Sequence, residues 1–205
     1  MLARFLEAMT IVRKKGRPTL FITFTCNPKW PEIEAELLHM RTESGDLGPK
    51  QDPALRPDIT ARVFKMKLRE LLDDLTKRNV FGPVVADVHV VEFQKRGLPH
   101  AHILLILDPK HVPTTTAELD ATVCAEIPDP ARDPILHDLV RLHMIHGPHC
   151  HSKSPCWKNG KCSKFFPKAP IMDTYLRKGK YPEYRRRTPA LGGGFAAKTR
   201  SGEDQ

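Results

Sequence analysis

The sequence predicts an α+β fold, in which an antiparallel central sheet is flanked by helices and followed by a Cys/His-rich, basic C-terminal appendage. Helical and strand-like segments are mixed along the chain, which argues against a doubly wound parallel sheet. The two strongest strand segments are separated by a hairpin-length turn, which favours antiparallel pairing. Three of the five cysteines lie after residue 145, where regular periodicity fades.

The first third of the chain predicts two helices and one strand. Apolar residues at helical spacing run up to Gly16 and predict a short amphipathic helix. Residues 19–26 (TLFITFTC) are rich in β-branched and aromatic side chains and predict a buried strand. Pro31 can begin a helix that reaches Met40. The Gly- and Pro-containing stretch 41–57 predicts a loop.

The central segment predicts the longest helix and the strand pair. Apolar residues at helical spacing predict a helix over 61–78, with Asp58 or Thr60 as its N-cap. Residues 84–93 and 101–107 predict strands. The second strand is apolar on both faces, so we expect it to be central in the sheet.

A last helix, over residues 133–143, is predicted with Asp133 as its cap. We therefore divide the chain into three regions: a folded domain over 1–145, a basic extension with a possible zinc site over 146–187, and a disordered tail over 188–205.

Composition restricts the class of protein. A chain of 205 residues with 28% charged residues can form one core and does not resemble a disordered segment. No apolar run approaches the roughly 20 residues that a membrane span needs, and the N-terminus has no signal-peptide core. These observations predict an intracellular protein without membrane partners. Cysteines in a reducing compartment favour metal binding or burial over disulfides, and Cys26 and Cys124 read as core residues.

The net charge of +9 is confined to one block. Residues 153–187 contain eleven Lys or Arg and two acidic residues, and the rest of the chain is neutral. Such a block is typical of a surface that binds a polyanion, most simply nucleic acid. A solvated tail is the alternative.

His100 and His102 are the most unusual residues of the strand pair. Alternate residues of a strand project from one face, with their bases about 7 Å apart, so both rings can reach one ion. If residues 95–99 form the loop, the ladder places Gln94 opposite His100 and Glu92 opposite His102. Two nitrogens with one or two oxygens would suit Mg²⁺ or Mn²⁺. Packing and chance remain the alternatives.

A second cluster of ligand-type residues follows the last helix. His146, Cys150, Cys156 and Cys162 could form a closed four-ligand zinc site, although the spacing of the cysteines is not that of a paired knuckle. Surface histidines and buried thiols are the alternative. Trp157, Phe165 and Phe166 lie among the lysines and could either stack on unpaired bases or pack around the zinc.

Several motifs in order resemble one family. The segments "GRPTLFITFTCNPKWPEI", "EFQKRGLPHAH", "MIHGPHC" and "GKCSKFFPK" look like the Helitron helicase-like N-terminal domain, the Rep-type endonuclease region of Helitron rolling-circle transposases. The resemblance runs from about Ala8 to Arg187. It implies a HUH/Rep-like fold, a nuclear location and a metal-dependent nuclease acting on single-stranded DNA, in which a tyrosine hydroxyl attacks the scissile phosphate.

The resemblance implies roles for individual residues. His100 and His102 are metal ligands, Glu92 is the preferred third ligand, and Gln94 is the fallback. Thr23, Thr25 and Asn27 contact DNA or support the site. The other expected DNA contacts are all basic residues: Lys95, Arg96, Lys158, Lys161, Lys164, Lys168, Arg185, Arg186 and Arg187.

The chain departs from the family at the nucleophile, which is a pair of tyrosines four residues apart. Its three tyrosines, Tyr175, Tyr181 and Tyr184, do not have that spacing. We therefore expect a domain that ends before the nucleophile and lacks the helicase region. The stretch "GGGFAAKT" has alanine in place of a glycine that a phosphate loop requires, so we expect no nucleotide cofactor.

Three hypotheses follow in order of preference. The first is a HUH-type DNA endonuclease domain with its metal half present. The second is a non-catalytic, zinc-stabilised nucleic-acid-binding fragment, and the third is a structural or interaction domain with an incidental basic tail.

Overall fold

The structure is a computed structural model that describes residues 2–45, 51–94, 97–146, 152–154, 156–166, 168–177, 179 and 181–193. It divides into two compact units, over residues 1–112 and 113–205. The helix expected over 133–143 therefore lies in the second unit. The fold is α+β, as predicted, with a three-stranded antiparallel sheet in the first unit.

The first unit contains three helices and three strands among its described residues. They are α1 (Leu2–Lys15), β1 (Leu20–Thr25), α2 (Pro31–Ser44), α3 (Pro57–Thr76), β2 (Val84–Phe93) and β3 (Pro99–Leu107). Short 3-10 turns span Pro53–Leu55 and Pro109–His111. The second unit contains α4 (Thr116–Thr122), α5 (Pro134–His143), β4 (Trp157–Lys158), β5 (Lys161–Cys162) and a 3-10 turn over Pro189–Leu191.

The sheet has the order β1-β3-β2, so β3 is the central strand, as its apolar sequence predicts. Both neighbours pair with it antiparallel. A register shift between Val84 and Ala86 marks a bulge near the start of β2. Because β3 is paired on both sides, its backbone N–H and C=O groups find partners in the sheet. As in any strand, its side chains alternate between the two faces of the sheet.

One face of the sheet builds the hydrophobic core with α2 and α3. Ala101, Ile103 and Leu105 of β3 are fully buried there. The helices contribute Ile33, Leu37, Ile59, Phe64, Leu68 and Leu75, all buried in the same cluster. Removing each of these aliphatic or aromatic side chains from water contributes about 1.5–3 kcal/mol, which makes this face the main source of stability.

Several element boundaries differ from the sequence predictions, most clearly those of α2 and α3. Helix α2 continues to Ser44, because Gly45 ends it in the left-handed conformation (φ 64°) that glycine adopts without strain. Helix α3 begins at Pro57 and its N-cap is Arg56, so the predicted caps Asp58 and Thr60 were wrong. Proline at the first helical position needs no backbone N–H and fixes φ, which favours this earlier start.

The second unit is held together by caps and ion pairs more than by a large core. Asp133 caps α5, as predicted, by accepting a hydrogen bond from the Leu136 backbone N–H at 3.0 Å. The apolar side chains of α5 are at least half exposed at Ile135, Leu139 and Leu142. Cys124 is exposed, so the prediction that it is a core residue was wrong, whereas Cys26 is buried as predicted.

Candidate metal centres and basic surface

The face of the sheet opposite the core carries the histidine pair. His100 of β3 lies opposite Thr25 of β1 and Glu92 of β2, and His102 lies opposite Thr23 and Val90. The predicted pairing of Gln94 with His100 and of Glu92 with His102 was wrong by two residues. Because side chains alternate with a period of two, this even offset leaves Glu92 on the same face as both histidines.

His100 is fixed by the neighbouring strand β1. The hydroxyl of Thr25 lies 2.7 Å from its Nδ1 atom, within hydrogen-bonding distance. Burial lowers the pKa of His100, and the neighbouring His102 lowers it further, while the charge of Glu92 acts in the opposite direction. The ring is therefore kept neutral near pH 7, which is the state in which imidazole binds metal, and its Nε2 atom can serve as the ligand.

The His102 ring packs between the rings of Phe21 and His100. Phe21 of β1 stacks on it with ring centroids 5.5 Å apart, and the His100 ring meets it edge-on at 4.6 Å. Its Nε2 atom is 3.7 Å from a carboxylate oxygen of Glu92. Sequence reasoning missed Phe21, although it has the same alternate spacing as Thr23 and Thr25.

One nitrogen of His102 has no partner. Nδ1 of this residue is buried, and among the described residues it is the one buried side-chain nitrogen or oxygen without a hydrogen bond. A buried polar atom without a partner costs about 1–3 kcal/mol, and a bound ion is one way in which a protein satisfies such an atom. The surroundings of His102 thus contain a donor atom that the protein leaves unsatisfied.

Gln94 closes the β2–β3 turn. Its backbone N–H donates to the Leu98 carbonyl oxygen at 3.0 Å, just beyond the last strand pair. Gly97 has φ 78°, and a Cβ atom there would approach the Ala54 carbonyl oxygen to 2.9 Å, so the turn needs glycine. Lys95 and Arg96 lie outside the described residues.

The two other residues assigned to the first strand motif have different surroundings. Thr23 projects from the histidine face, opposite His102. Asn27 follows β1, and its side-chain oxygen accepts a hydrogen bond from the Lys29 backbone N–H at 2.9 Å. That oxygen therefore stabilises the turn into α2.

The second cluster lies in the second unit. His146, Cys156 and Cys162 place one donor atom each within 4.8 Å of the other two. Over the part of the chain that the structure describes, this is the one group of three or more His, Cys, Asp or Glu residues whose ligand atoms lie this close together. The ligand atoms of His100, His102 and Glu92 are therefore farther apart than those of this cluster. Cys150 lies outside the described residues.

The basic residues of the second unit fall into two kinds. Lys158, Lys161, Lys164 and Lys168 are exposed. Arg187 instead donates from Nε and Nη2 to the Glu126 carboxylate at 2.8 and 3.0 Å, and Arg185 lies 3.2 Å from Asp120. The guanidinium of Arg186 donates to the Ala169 carbonyl oxygen at 3.0 Å. The lysines are therefore the more available charges for a phosphate backbone.

The tyrosines all belong to an irregular hairpin in the second unit. Isolated bridges pair Ile171 with Arg186 and Tyr175 with Glu183. Tyr181 is 93% exposed, Tyr175 is about half exposed and Tyr184 is partly buried. None of the three lies on a helix.

One known protein family matches the part of the chain that contains the sheet with the histidine pair. The Helitron helicase-like domain found at the N-terminus of its proteins matches residues 1–105, which include α1 to α3 and the strands with Glu92, His100 and His102. This match covers 105 of the 205 residues, and the chain belongs to that family. A search of curated proteins finds no match. Across the described residues, no helix is both long and apolar enough to cross a membrane.

Proposed function

We propose that this chain is a HUH/Rep-like domain that binds single-stranded DNA and holds Mg²⁺ or Mn²⁺ at His100, His102 and Glu92. The observation that carries the proposal is the convergence of three strands on one face, where Thr25 positions His100 and Glu92 lies beside both rings. Membership of the Helitron helicase-like family gives this face its context.

The residues present fit such a cation. Neutral imidazole nitrogens and a carboxylate oxygen are ligands that Mn²⁺ and Mg²⁺ accept. Nδ1 of His102 is an unsatisfied donor atom, and the side chain of Glu92 is 63% exposed and can move toward the rings. When bound, the cation would polarise a phosphodiester and neutralise charge that develops on its oxygens.

The protein's own groups have separate tasks at this face. His100 and His102 supply the nitrogens, and Thr25 fixes the orientation of the first ring through its hydroxyl. Phe21 stacks on His102 and is 61% exposed, so it also offers an aromatic surface to an unpaired base. Thr23 projects from the same face, opposite His102, and we expect it to contact a DNA strand bound there.

The three tyrosines do not match the nucleophile that the family resemblance implies. The family uses tyrosines four residues apart, and Tyr175, Tyr181 and Tyr184 do not have that spacing. We expect this chain to bind Mn²⁺ and single-stranded DNA without forming a protein–DNA adduct. Incubation with labelled single-stranded DNA and Mn²⁺, followed by denaturing electrophoresis, tests this expectation, and an adduct on any tyrosine would overturn it.

The metal site itself is tested by Mn²⁺ titration. We expect a His100→Ala/His102→Ala double variant to lose at least about tenfold in Mn²⁺ affinity. A His89→Ala variant is the matched control, because His89 also lies on the sheet but projects from the opposite face, where it pairs with Asp87. Equal Mn²⁺ affinity in the wild type and the double variant would refute the site.

A second candidate is a non-catalytic nucleic-acid-binding domain, in which His100 and His102 are structural. The observation in its favour is that their donor atoms do not close around one point, whereas those of the His/Cys cluster do. This candidate predicts that the double variant binds single-stranded DNA as tightly as the wild type, with or without Mn²⁺.

A further inference from the structure

We propose that His146, Cys156 and Cys162 bind one Zn²⁺ ion that joins the segment after α5 to the β4–β5 hairpin. The proposal does not depend on a metal at the sheet, because all three residues belong to the second unit. It rests on the local backbone of the hairpin and on the distances between the donor atoms.

The hairpin turn explains how two cysteines six residues apart can share an ion. Six residues of extended chain would separate them by roughly 20 Å. Asn159 (φ 53°) and Gly160 (φ 76°) instead form a two-residue turn with both residues in the left-handed region. Asn-Gly is the favoured pair for such a turn, since asparagine and glycine tolerate positive φ.

The pairing that this turn sets brings the two sulfurs to the base of the hairpin. Trp157 pairs with Cys162, and the Ser163 N–H donates to the Cys156 carbonyl oxygen at 2.8 Å. Cys156 therefore comes directly before β4 and Cys162 ends β5, so both lie at the open end of the hairpin. The Cys-x5-Cys spacing, which does not match a paired knuckle in sequence, becomes a ligand pair through the hairpin.

The distance between one sulfur and the imidazole nitrogen agrees with a zinc ion in tetrahedral geometry. Zinc lies about 2.3 Å from a cysteine sulfur and about 2.0 Å from a histidine nitrogen, which puts the two ligand atoms about 3.5 Å apart at a tetrahedral angle. The Cys162 Sγ and His146 Nε2 atoms are 3.4 Å apart.

The surroundings also suit a thiolate ligand. The Lys164 backbone N–H lies 3.3 Å from the sulfur of Cys162. Cys162 itself is 4% exposed. A backbone N–H directed at sulfur stabilises the anionic form, which is the form that binds metal. Two thiols with one imidazole favour Zn²⁺ over the hard cations Mg²⁺ and Ca²⁺. Binding would release the thiol protons to solvent.

Such an ion would supply order where burial is sparse. Cys162 is the one hydrophobic residue of the described part of 146–193 that is buried. A structural zinc ion contributes folding free energy directly, so it would hold the hairpin that carries Lys158 and Lys161. Phe166, whose ring lies 5.1 Å from that of His146, would cover the ligand from one side.

The test is zinc content and Co²⁺ absorption of the full chain. We expect the wild type to retain one Zn²⁺ per chain and to show thiolate-to-metal charge transfer when Co²⁺ replaces it. Cys156→Ser, Cys162→Ser and His146→Ala variants should each lose at least about tenfold in Zn²⁺ affinity.

The controls are residues of the same kinds outside the cluster. Cys124→Ser and His143→Ala lie in the same unit and should keep the ion, as should the His100→Ala/His102→Ala variant. Wild-type protein that binds no Zn²⁺, or whose Co²⁺ spectrum lacks a thiolate band, would overturn the proposal, and this measurement does not depend on whether the variants fold. Unchanged Zn²⁺ affinity in both cysteine variants would overturn it as well.

Discussion

The hydroxyl of Thr25 lies 2.7 Å from Nδ1 of His100, so strand β1 orients the first histidine of strand β3. The hydrogen bond occupies one nitrogen of the ring and directs the other away from β1. Outer partners of this kind are as much a part of a metal site as the ligands themselves.

A Thr25→Val variant should weaken Mn²⁺ binding by about tenfold, because it keeps the shape of the side chain but removes the hydroxyl that positions His100. Thr25→Ser should restore the affinity. Isothermal titration with Mn²⁺ measures both. Thr23→Val is the control, since Thr23 is also exposed and on the same face but lies opposite His102. An equal loss in both valine variants would argue against a positioning role.

The register of the sheet separates the two candidates for the third ligand. Glu92 lies opposite His100 and 3.7 Å from His102, whereas Gln94 lies at the β2–β3 turn. We expect Glu92→Gln to lower Mn²⁺ affinity about tenfold and Gln94→Ala to leave it unchanged. The reverse ranking in the same titration would make Gln94 the ligand.

The exposed lysines should set the salt dependence of DNA binding. Each phosphate contact on a single strand contributes about 0.7 to the slope of log K against log salt, so replacing Lys158, Lys161 and Lys164 by alanine should reduce that slope by about 2. Fluorescence anisotropy with a labelled oligonucleotide measures it. Lys77→Ala is the control, because Lys77 is already paired with Asp73 at 2.8 Å. A slope that is the same in the triple variant would place the phosphate contacts elsewhere.

Glu126 should make the second unit sensitive to acid. The Arg187 side chain holds the pKa of this carboxyl below its ordinary value of 4.5, with burial acting in the opposite direction. A lowered carboxyl pKa means that its stabilising effect is complete above pH 4.5 and is lost as the pH falls through the folded-state pKa. Hydrogen exchange of the Arg187 amide, which donates to Glu126 at 3.0 Å, should therefore accelerate below pH 4.5 after correction for intrinsic rates.

Glu126→Gln should show this acceleration already at neutral pH, by about tenfold. Glu183→Gln is the matched control, since Glu183 lies on the same irregular hairpin but is exposed, and its ion pair with Arg177 is 3.5 Å long. Equal protection of the Arg187 amide in the wild type and Glu126→Gln would contradict the role of the pair.

Much of the first unit could be predicted from the sequence, because periodicity reports which face is buried. The strand over 84–93 and the central position of β3 follow from apolar patterns. The exact ladder could not be predicted in this way. The expected ladder took residues 95–99 as the loop, yet the Pro99 carbonyl oxygen accepts from the Cys26 N–H at 3.0 Å, and the strand begins there.

The site could be predicted in part for the same reason. Side chains of a strand alternate between its two faces, so a register error of two residues between β2 and β3 leaves Glu92 on the same face as the histidines. Long-range partners leave no such pattern. Arg185 and Arg187 looked like phosphate ligands in a basic run, and only the fold shows them beside Asp120 and Glu126, which are about 60 residues earlier.

The central position of β3 has a consequence for how the histidine pair responds to its surroundings. Strand β3, which carries both histidines, is paired with a neighbour on each side, and the next side chains along the strand, Ala101 and Ile103, are fully buried. The main-chain positions of the two histidines are thus set by strand pairing before any ion or nucleotide arrives. An ion at this face would therefore be enclosed by movement of the His100, His102 and Glu92 side chains and not by movement of the strand.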